Sequence, residues 1–224
     1  MTRIPRALLA IRRIRLLPFL LVIPLAIGLV LWLLVHRPGW WSSAGDRSPA
    51  AAAIGAGLEQ AISREVTLVR EPGEWGFVLT EEDVNAWLVN RLDPWLESRG
   101  DIELPEGVSD PRVRFGNGWI EVGLLSHQVG VPIFTSARFE VRLDGADLTL
   151  LPIEGRMAFA TFDRESLAYL SDYLLIDGRT KINQATGEVT LPAIIELMDG
   201  RRVILTEIEV VSGELAVRFR TVGP

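Results

Sequence analysis

Residues 131–151 read VPIFTSARFEVRLDGADLTLL, and this stretch decides the fold class. Mostly apolar residues occupy the odd positions from Val131 to Leu143, whereas positions 136, 138, 140 and 142 are Ser, Arg, Glu and Arg. Alternation with a period of two is typical of a strand with one buried and one solvated face, so it predicts antiparallel sheet. Asp144-Gly145 predicts a tight turn, after which Leu148–Leu151 returns as the partner strand.

The same alternation recurs towards the C-terminus. It is present at 189–197, at 203–211 and at 215–219, with turn signals at Asp199-Gly200 and Ser212-Gly213. These segments predict a three-stranded meander. Nearer the N-terminus, 66–69 and 75–79 flank a Glu-Pro-Gly-Glu turn and predict a further hairpin.

Three segments have helical periodicity instead. Apolar residues spaced four apart predict a helix from Ile54 to Arg64. Thr80 is a favourable N-cap, and three acidic residues follow it. Apolar residues then recur at 84, 87, 88, 92 and 95, so a second helix is expected to begin at Thr80. Pro94 is expected to bend or end this helix near Leu92. Asp163–Leu175 predicts another helix. Strands and helices are too unevenly mixed for repeated βαβ units, so the predicted fold class is α+β.

The segment Leu16–His36 predicts a transmembrane helix. It contains 21 residues without a formal charge between Arg15 and Arg37, and a helix of that length spans about 31 Å, close to the thickness of a bilayer core. Five arginines precede the span, so the positive-inside rule places the N-terminus in the cytoplasm and the main domain outside. A cleaved signal peptide is the main alternative, because small residues follow Trp41, and a buried core helix is another.

These features predict the organisation of the whole chain. Residues 1–15 form a basic cytoplasmic tail, 16–36 the span, 37–53 a tether or the fraying start of a helix, and 54–224 one extracytoplasmic α+β domain. The expected location is therefore the cell membrane, with a single pass.

Charge and composition exclude several classes of function. Residues 1–41 contain six arginines and no acidic residue, which leaves 17 basic and 29 acidic residues in 42–224. Such an acidic domain disfavours nucleic acid as a partner, because binding phosphates requires a basic face. The chain has no cysteine, which removes disulfides, thiolate catalysis and cysteine-bound metals.

No motif predicts catalysis, a cofactor site or a metal site. The chain has only two histidines, His36 and His127, and no G-x-S-x-G element, and no His/Asp/Glu cluster has metal-ligand spacing. Glu207 and Glu209 are interpreted as surface residues of a strand, and 116–118 (Gly-Asn-Gly) as a β-turn. The chain is therefore expected not to be an enzyme. The alternative, an enzymatic function, would require a polar cleft that contains acidic residues with perturbed pKa values.

Three pieces of sequence together resemble a known group. They are LTEEDVNAWL at 79–88 behind an N-terminal anchor and first helix, the hairpin at 131–151, and LTEIEVVSGELAV at 205–217. In this order they resemble small envelope proteins of the YpmS-like and LmeA-like kind, related to the tubular lipid-binding (TULIP) superfamily. The resemblance implies a curved antiparallel sheet packed on two to three helices, and no catalytic residues.

The function implied by the resemblance is binding of one acyl or isoprenoid chain in an apolar groove between sheet and helices. The residues expected to line that groove are Trp87, Leu88, Phe134, Phe139, Phe159, Leu167 and Leu170. Taken singly, each of these is expected to be ordinary core packing, because aromatic and apolar residues at helical or alternating spacing are core by default. The competing hypothesis is a tethered interaction or scaffold module of an envelope assembly, for which an exposed apolar patch or an open sheet edge would recruit a partner protein.

Overall fold

The computed structural model describes a defined part of the chain. The described residues are 24–26, 28–29, 32–33, 36–43, 46–68, 71–100, 104, 106–128, 131–158, 160–162, 181–183, 185–197 and 200–223. Much of the predicted span at 16–36, and the whole of the predicted helix Asp163–Leu175, lie outside them. Within the described part, no helix combines the length and the apolarity needed to cross a membrane.

The described helices begin and end at recognisable signals. They are α1 Gly39–Ser43, α2 Pro49–Thr67, α3 Glu81–Asn90 and α4 Leu92–Arg99. Ser48 caps α2 by accepting a hydrogen bond from the Ala51 amide at 3.1 Å, and a proline at the first helical position suits its fixed φ. The segment 37–53 therefore contains α1 and the first turn of α2, so much of it is helical.

The second long helix follows its predicted capping pattern. The Asp83 amide donates to Thr80 Oγ1 at 3.1 Å, and the Thr80 hydroxyl donates to Asp83 Oδ2 at 2.7 Å. The helix ends at Asn90, and Pro94 lies in the first turn of α4, where its missing N–H breaks no helical hydrogen bond. The prediction of a helix that begins at Thr80 and ends near Leu92 is confirmed.

The described strands form two antiparallel sheets rather than one. They are β1 Gly73–Thr80, β2 Val108–Gly116, β3 Trp119–Gln128, β4 Val131–Asp144, β5 Asp147–Met157, β6 Ala160–Phe162, β7 Lys181–Asn183, β8 Glu188–Pro192, β9 Ile194–Glu196, β10 Arg202–Val211 and β11 Glu214–Val222. Sheet A has the order β1-β11-β10-β9, and sheet B has the order β2-β3-β4-β5-β8-β7, with β6 paired to β5. The coarse prediction of an α+β fold with curved antiparallel sheet and a few helices is confirmed.

The hairpin that decides the fold class forms as predicted. Strands β4 and β5 pair from Thr135↔Met157 to Asp144↔Asp147, with Gly145 at φ +63° in the turn. The meander of β9, β10 and β11 also forms, and its β10–β11 turn contains Gly213 at φ +85°. Positive φ is accessible to glycine at little cost, which is why these turn signals are reliable.

Two strand predictions are wrong. The expected strand 66–69 fails because α2 continues to Thr67, and β1 pairs with the distant β11 from Gly73↔Thr221 to Thr80↔Glu214. The single strand expected at 189–197 is divided at the buried Ala193 into β8 of sheet B and β9 of sheet A. The Ala193 amide donates to Ala146 O at 2.7 Å and its carbonyl accepts from the Leu205 amide at 2.8 Å, so this residue bonds to both sheets.

Two apolar clusters hold these elements together. One is formed by Ala193, Leu205 and Val217, with half-buried residues of sheet A and of the β4–β5 hairpin around it. The other is formed by Trp41 of α1 with Leu125 and Phe134 of sheet B. The clusters lie on opposite sides of sheet B, because Leu143 contacts the first and Phe134, nine positions earlier on the same strand, belongs to the second.

Helix α3 closes the edge of sheet B at β2. The side chain of Asn85, which is fully buried, donates to the Val113 carbonyl and accepts from the Val113 amide, both at 2.8 Å. Glu81 Oε2 accepts from the Phe115 amide at 2.9 Å. Two polar side chains of one helix thus satisfy backbone groups that an edge strand would otherwise leave unpaired.

Candidate functional site

Sheet B has two faces of opposite character along β3 and β4. Side chains two apart on a strand lie on the same face, and so do residues that pair directly across an antiparallel ladder. The register Trp119↔Glu140 to Gln128↔Val131 therefore defines the tryptophan face and the apolar face. The tryptophan face consists of Trp119, Glu121, Gly123, Leu125, Phe134, Ser136, Arg138 and Glu140. The apolar face consists of Ile120, Val122, Leu124, Ser126, Ile133, Thr135, Ala137 and Phe139.

The tryptophan face contains a buried polar network. Glu121 is 3% exposed; its carboxylate accepts from the Ser136 hydroxyl at 2.9 Å and from Arg138 Nη2 at 3.3 Å. Arg138 also lies 3.8 Å from Glu154, and its guanidinium lies over the Trp119 ring at 4.3 Å. Burying a carboxylate is costly unless it is paired and hydrogen-bonded, and Glu121 is both.

Helix α1 covers part of this face with two indole rings. Trp41 is 2% exposed and packs edge-on against Phe134, at 5.1 Å between ring centroids, while Trp40 lies 6.0 Å from Phe134. Gly123 makes this approach possible, because a Cβ there would lie 2.8 Å from Trp41 Cζ3 and 2.9 Å from Trp40 Cη2. The chain immediately after the predicted span is therefore packed onto the sheet instead of forming a free tether.

The apolar face is the less buried of the two. Every one of its eight residues on β3 and β4 is half-buried, whereas Glu121, Gly123, Leu125, Phe134 and Ser136 on the opposite face are buried. The strand prediction that placed Ser136 on a solvated face is therefore wrong, because α1 packs on the side that carries it. Apolar side chains that stay partly accessible, opposite a buried carboxylate, reverse the usual distribution, and accessible apolar surface commonly marks a binding site.

The structure separates the residues predicted to line a lipid groove. Phe134 and Phe139 lie on opposite faces of β4, so they cannot line one side of a common groove. Trp87 lies on α3, where its ring contacts Trp95 at 6.0 Å, and Leu88 is half-buried beside it on the same helix. Phe159, Leu167 and Leu170 lie outside the described residues. Of the described candidates, only Phe139 belongs to the apolar face.

The residues considered for other chemistry occupy surface positions. His127 is exposed at the end of β3, with its ring Nδ1 3.2 Å from the Gly107 carbonyl oxygen. Glu207 and Glu209 are exposed on β10, and Glu207 pairs with Arg218 at 3.1 Å, which confirms their surface interpretation. In the described part of the chain, no group of three His, Asp or Glu side chains is arranged to hold a metal ion.

A separate cleft of about 920 Å³ lies where the N-termini of α2 and α3 approach the β10–β11 turn. Its lining includes Asp46, Glu81, Glu82, Glu214 and Arg114. Hydrogen bonds from Ser48 hold the pKa of Asp46 below its ordinary value, so this carboxylate stays ionised at neutral pH. A group of that kind is poorly matched to proton transfer.

This chain matches no family model, no curated protein and no solved structure. The buried charge network and the half-exposed apolar face are therefore interpreted from their own physical chemistry.

Sequence patterns missed the residues that build this site. Gly123 interrupts an otherwise ordinary strand, which is the one local signal that another group approaches closely. Asn85 resembles any polar residue on a helix, and Glu121 any charge on a strand, because their partners lie 28 and 15 positions away.

Proposed function

We propose that this protein is anchored in the membrane by residues 16–36 and binds one acyl or isoprenoid chain of a membrane lipid on the apolar face of sheet B. The domain lies on the extracytoplasmic side and acts by binding, without catalysis. The observation that carries the proposal is that all eight residues of this face on β3 and β4 stay partly accessible, while Glu121 and Ser136 on the opposite face are buried.

The shape and chemistry of the face suit a hydrocarbon chain. Six of its eight residues on β3 and β4 are hydrocarbon side chains without a polar atom. Strand β5 extends it, because Ala137 pairs with Gly155 and Phe139 with Pro152. Two strands of ten and fourteen residues rise about 3.4 Å per residue, so the face is long enough for an extended chain.

The position of the face favours a ligand from the membrane. Helix α1 begins at Gly39, just beyond the predicted span, and Trp41 packs on the other side of the same two strands. Only a few residues separate the predicted span from α1. A lipid that leaves the bilayer would therefore meet sheet B close to the anchor. Burying apolar area contributes about 25 cal/mol per Å², so a chain of a dozen methylenes has enough surface to be retained.

The proposal is tested by measuring lipid that co-purifies with the full-length protein. Native mass spectra of protein extracted from membranes should contain a species with one added lipid. Phe139→Asp should abolish that species, because it places a charge on the apolar face. Phe139→Ala, a milder change at a half-buried position, should reduce lipid occupancy while the protein stays folded.

The matched control is Val211→Asp, which introduces the same charge at an exposed apolar residue of β10. It should retain the lipid. Unchanged occupancy in both Phe139 variants would contradict the proposal. A wild-type spectrum without lipid, together with an in-cell crosslink from Phe139 to another protein, would instead support the scaffold hypothesis.

A further inference from the structure

We infer that Ser126 and Thr135 form a hydrogen-bonding site for the oxygen-bearing end of the bound chain, so that the ligand is a fatty acid or an ester and not a plain hydrocarbon. This inference rests on the proposed function and adds the class of the ligand and its direction on the sheet. It concerns the only two hydroxyl-bearing residues among the eight that define the apolar face on the described strands β3 and β4.

The register brings the two residues together. Thr135 pairs with Leu124, and Ser126 pairs with Ile133, so the two hydroxyl residues are diagonal neighbours on one face. Diagonal neighbours in an antiparallel pair are about 7–8 Å apart, a separation that a single carboxyl or ester group placed between them can bridge. Rotation about each Cα–Cβ bond lets the hydroxyls adjust to such a group.

Ser126 Oγ and Thr135 Oγ1 are both buried atoms without a hydrogen-bond partner among the described residues. A buried hydroxyl left unpaired is destabilising, and the great majority of such groups in folded proteins have a partner. The two are the only side-chain polar atoms of the apolar face on the described strands β3 and β4, and an oxygen-bearing ligand group between them would supply the missing hydrogen bonds.

The chemistry of the pair selects the ligand class. Hydroxyls donate and accept without carrying charge, so they suit a protonated carboxyl or an ester carbonyl, and they do not compensate a phosphate. The pair also has a defined place: Leu125 and Phe134 lie between these residues in the register and hold Trp41 on the opposite face. The polar end of the ligand is therefore held at the end of the sheet nearest the anchor, and its chain runs towards Phe139.

The binding test uses two photoreactive probes of equal length in membranes that contain the full-length protein. One is a diazirine derivative of palmitic acid, and the other is the corresponding diazirine alkane. Labelling of wild type by the palmitic acid probe should be about tenfold stronger than labelling of the Ser126→Ala/Thr135→Val double variant. Labelling by the alkane should be equal in both proteins.

The outcomes separate this inference from the proposed function. Equal labelling of wild type and the double variant by palmitic acid would overturn the hydroxyl site and leave lipid binding intact. Absence of labelling by either probe in wild type would overturn both.

A second measurement does not depend on ligand. Thr135→Val keeps the side-chain shape and removes the unpaired oxygen, so the lipid-free protein should unfold at a temperature raised by roughly 2–4 °C. A lowered unfolding temperature would mean that the hydroxyl already has a partner, and would overturn the inference. Thr206→Val is the control, because the Thr206 hydroxyl donates to the Arg218 carbonyl at 3.2 Å and its loss should not stabilise the protein.

Discussion

The two faces of sheet B differ in a way that composition does not explain. The tryptophan face contains Glu121, Ser136 and Arg138, yet it is the better buried of the two. The apolar face carries mainly hydrocarbon side chains and remains half-exposed. The burial of each face depends on the segment that packs against it. Helix α1 packs on the tryptophan face, and Gly123 provides the space for its indole rings.

This difference separates stability from function. On the tryptophan face, the Glu121 carboxylate accepts from Ser136 and Arg138, and the Arg138 guanidinium lies over the Trp119 ring. None of the eight apolar-face residues on β3 and β4 is fully buried. We therefore expect substitutions on the tryptophan face to change the free energy of unfolding, and substitutions on the apolar face to change mainly ligand binding.

The largest expected effect is at Trp41. Trp41→Ala should lower the free energy of unfolding by about 3–5 kcal/mol, because a large buried side chain is lost and leaves a cavity. Urea denaturation followed by far-UV circular dichroism measures this, and Leu68→Ala, at a residue 53% exposed, is the control. Combining Trp41→Ala with Gly123→Ala should cost less than the two changes added, since the nearest of the side chains that a Cβ at Gly123 would meet, the Trp41 indole, is removed. Strict additivity would contradict the packing described for α1.

A smaller effect is expected from the buried carboxylate. Glu121→Gln keeps the shape but turns an amide towards Arg138, so it should cost about 1.5–3 kcal/mol, the range for hydrogen bonds to charged groups. Glu140→Gln is the matched control on the same face, because its pair with Arg142 is solvent-exposed and such pairs contribute about 1 kcal/mol or less. Equal losses of unfolding free energy in the two variants would show that burial of Glu121 does not increase the contribution of its hydrogen bonds to stability.

The smallest expected effect lies away from both faces, at the ion pair between α2 and the end of α3. Arg91 Nε donates to Glu59 Oε2 at 2.8 Å, and this hydrogen bond holds the pKa of Glu59 below its ordinary value. A lowered carboxylate pKa contributes stability that is present above the ordinary value of about 4.3 and is lost as pH falls through the folded-state pKa. Glu59→Gln should therefore lower the unfolding temperature slightly at pH 7. Near pH 2, where Glu59 is protonated, it should leave the unfolding temperature unchanged. A difference that persists at pH 2 would exclude the ion pair as its cause.

Local patterns were sufficient for much of the fold. The alternation at 131–151, the Thr80 cap and the glycine turns each act over a few residues, and each forms as predicted. The pairing of β1 with β11 joins residues more than 130 positions apart, and neither strand carries a local mark of its partner. The break at Ala193 likewise has no local sequence signal, because the alternation continues through it while the chain passes from sheet B to sheet A.

The sequence alone determined much of the secondary structure, the α+β class and the expectation of an anchored domain, because these depend on periodicity, caps and charge within short windows. Only the tertiary structure decided which face of the central strands is buried. An alternating strand specifies that its two faces differ, but the burial of each face depends on the segment that packs against it. Here that segment is α1, brought onto β3 and β4 from more than 80 positions away, and it left the apolar face half-exposed.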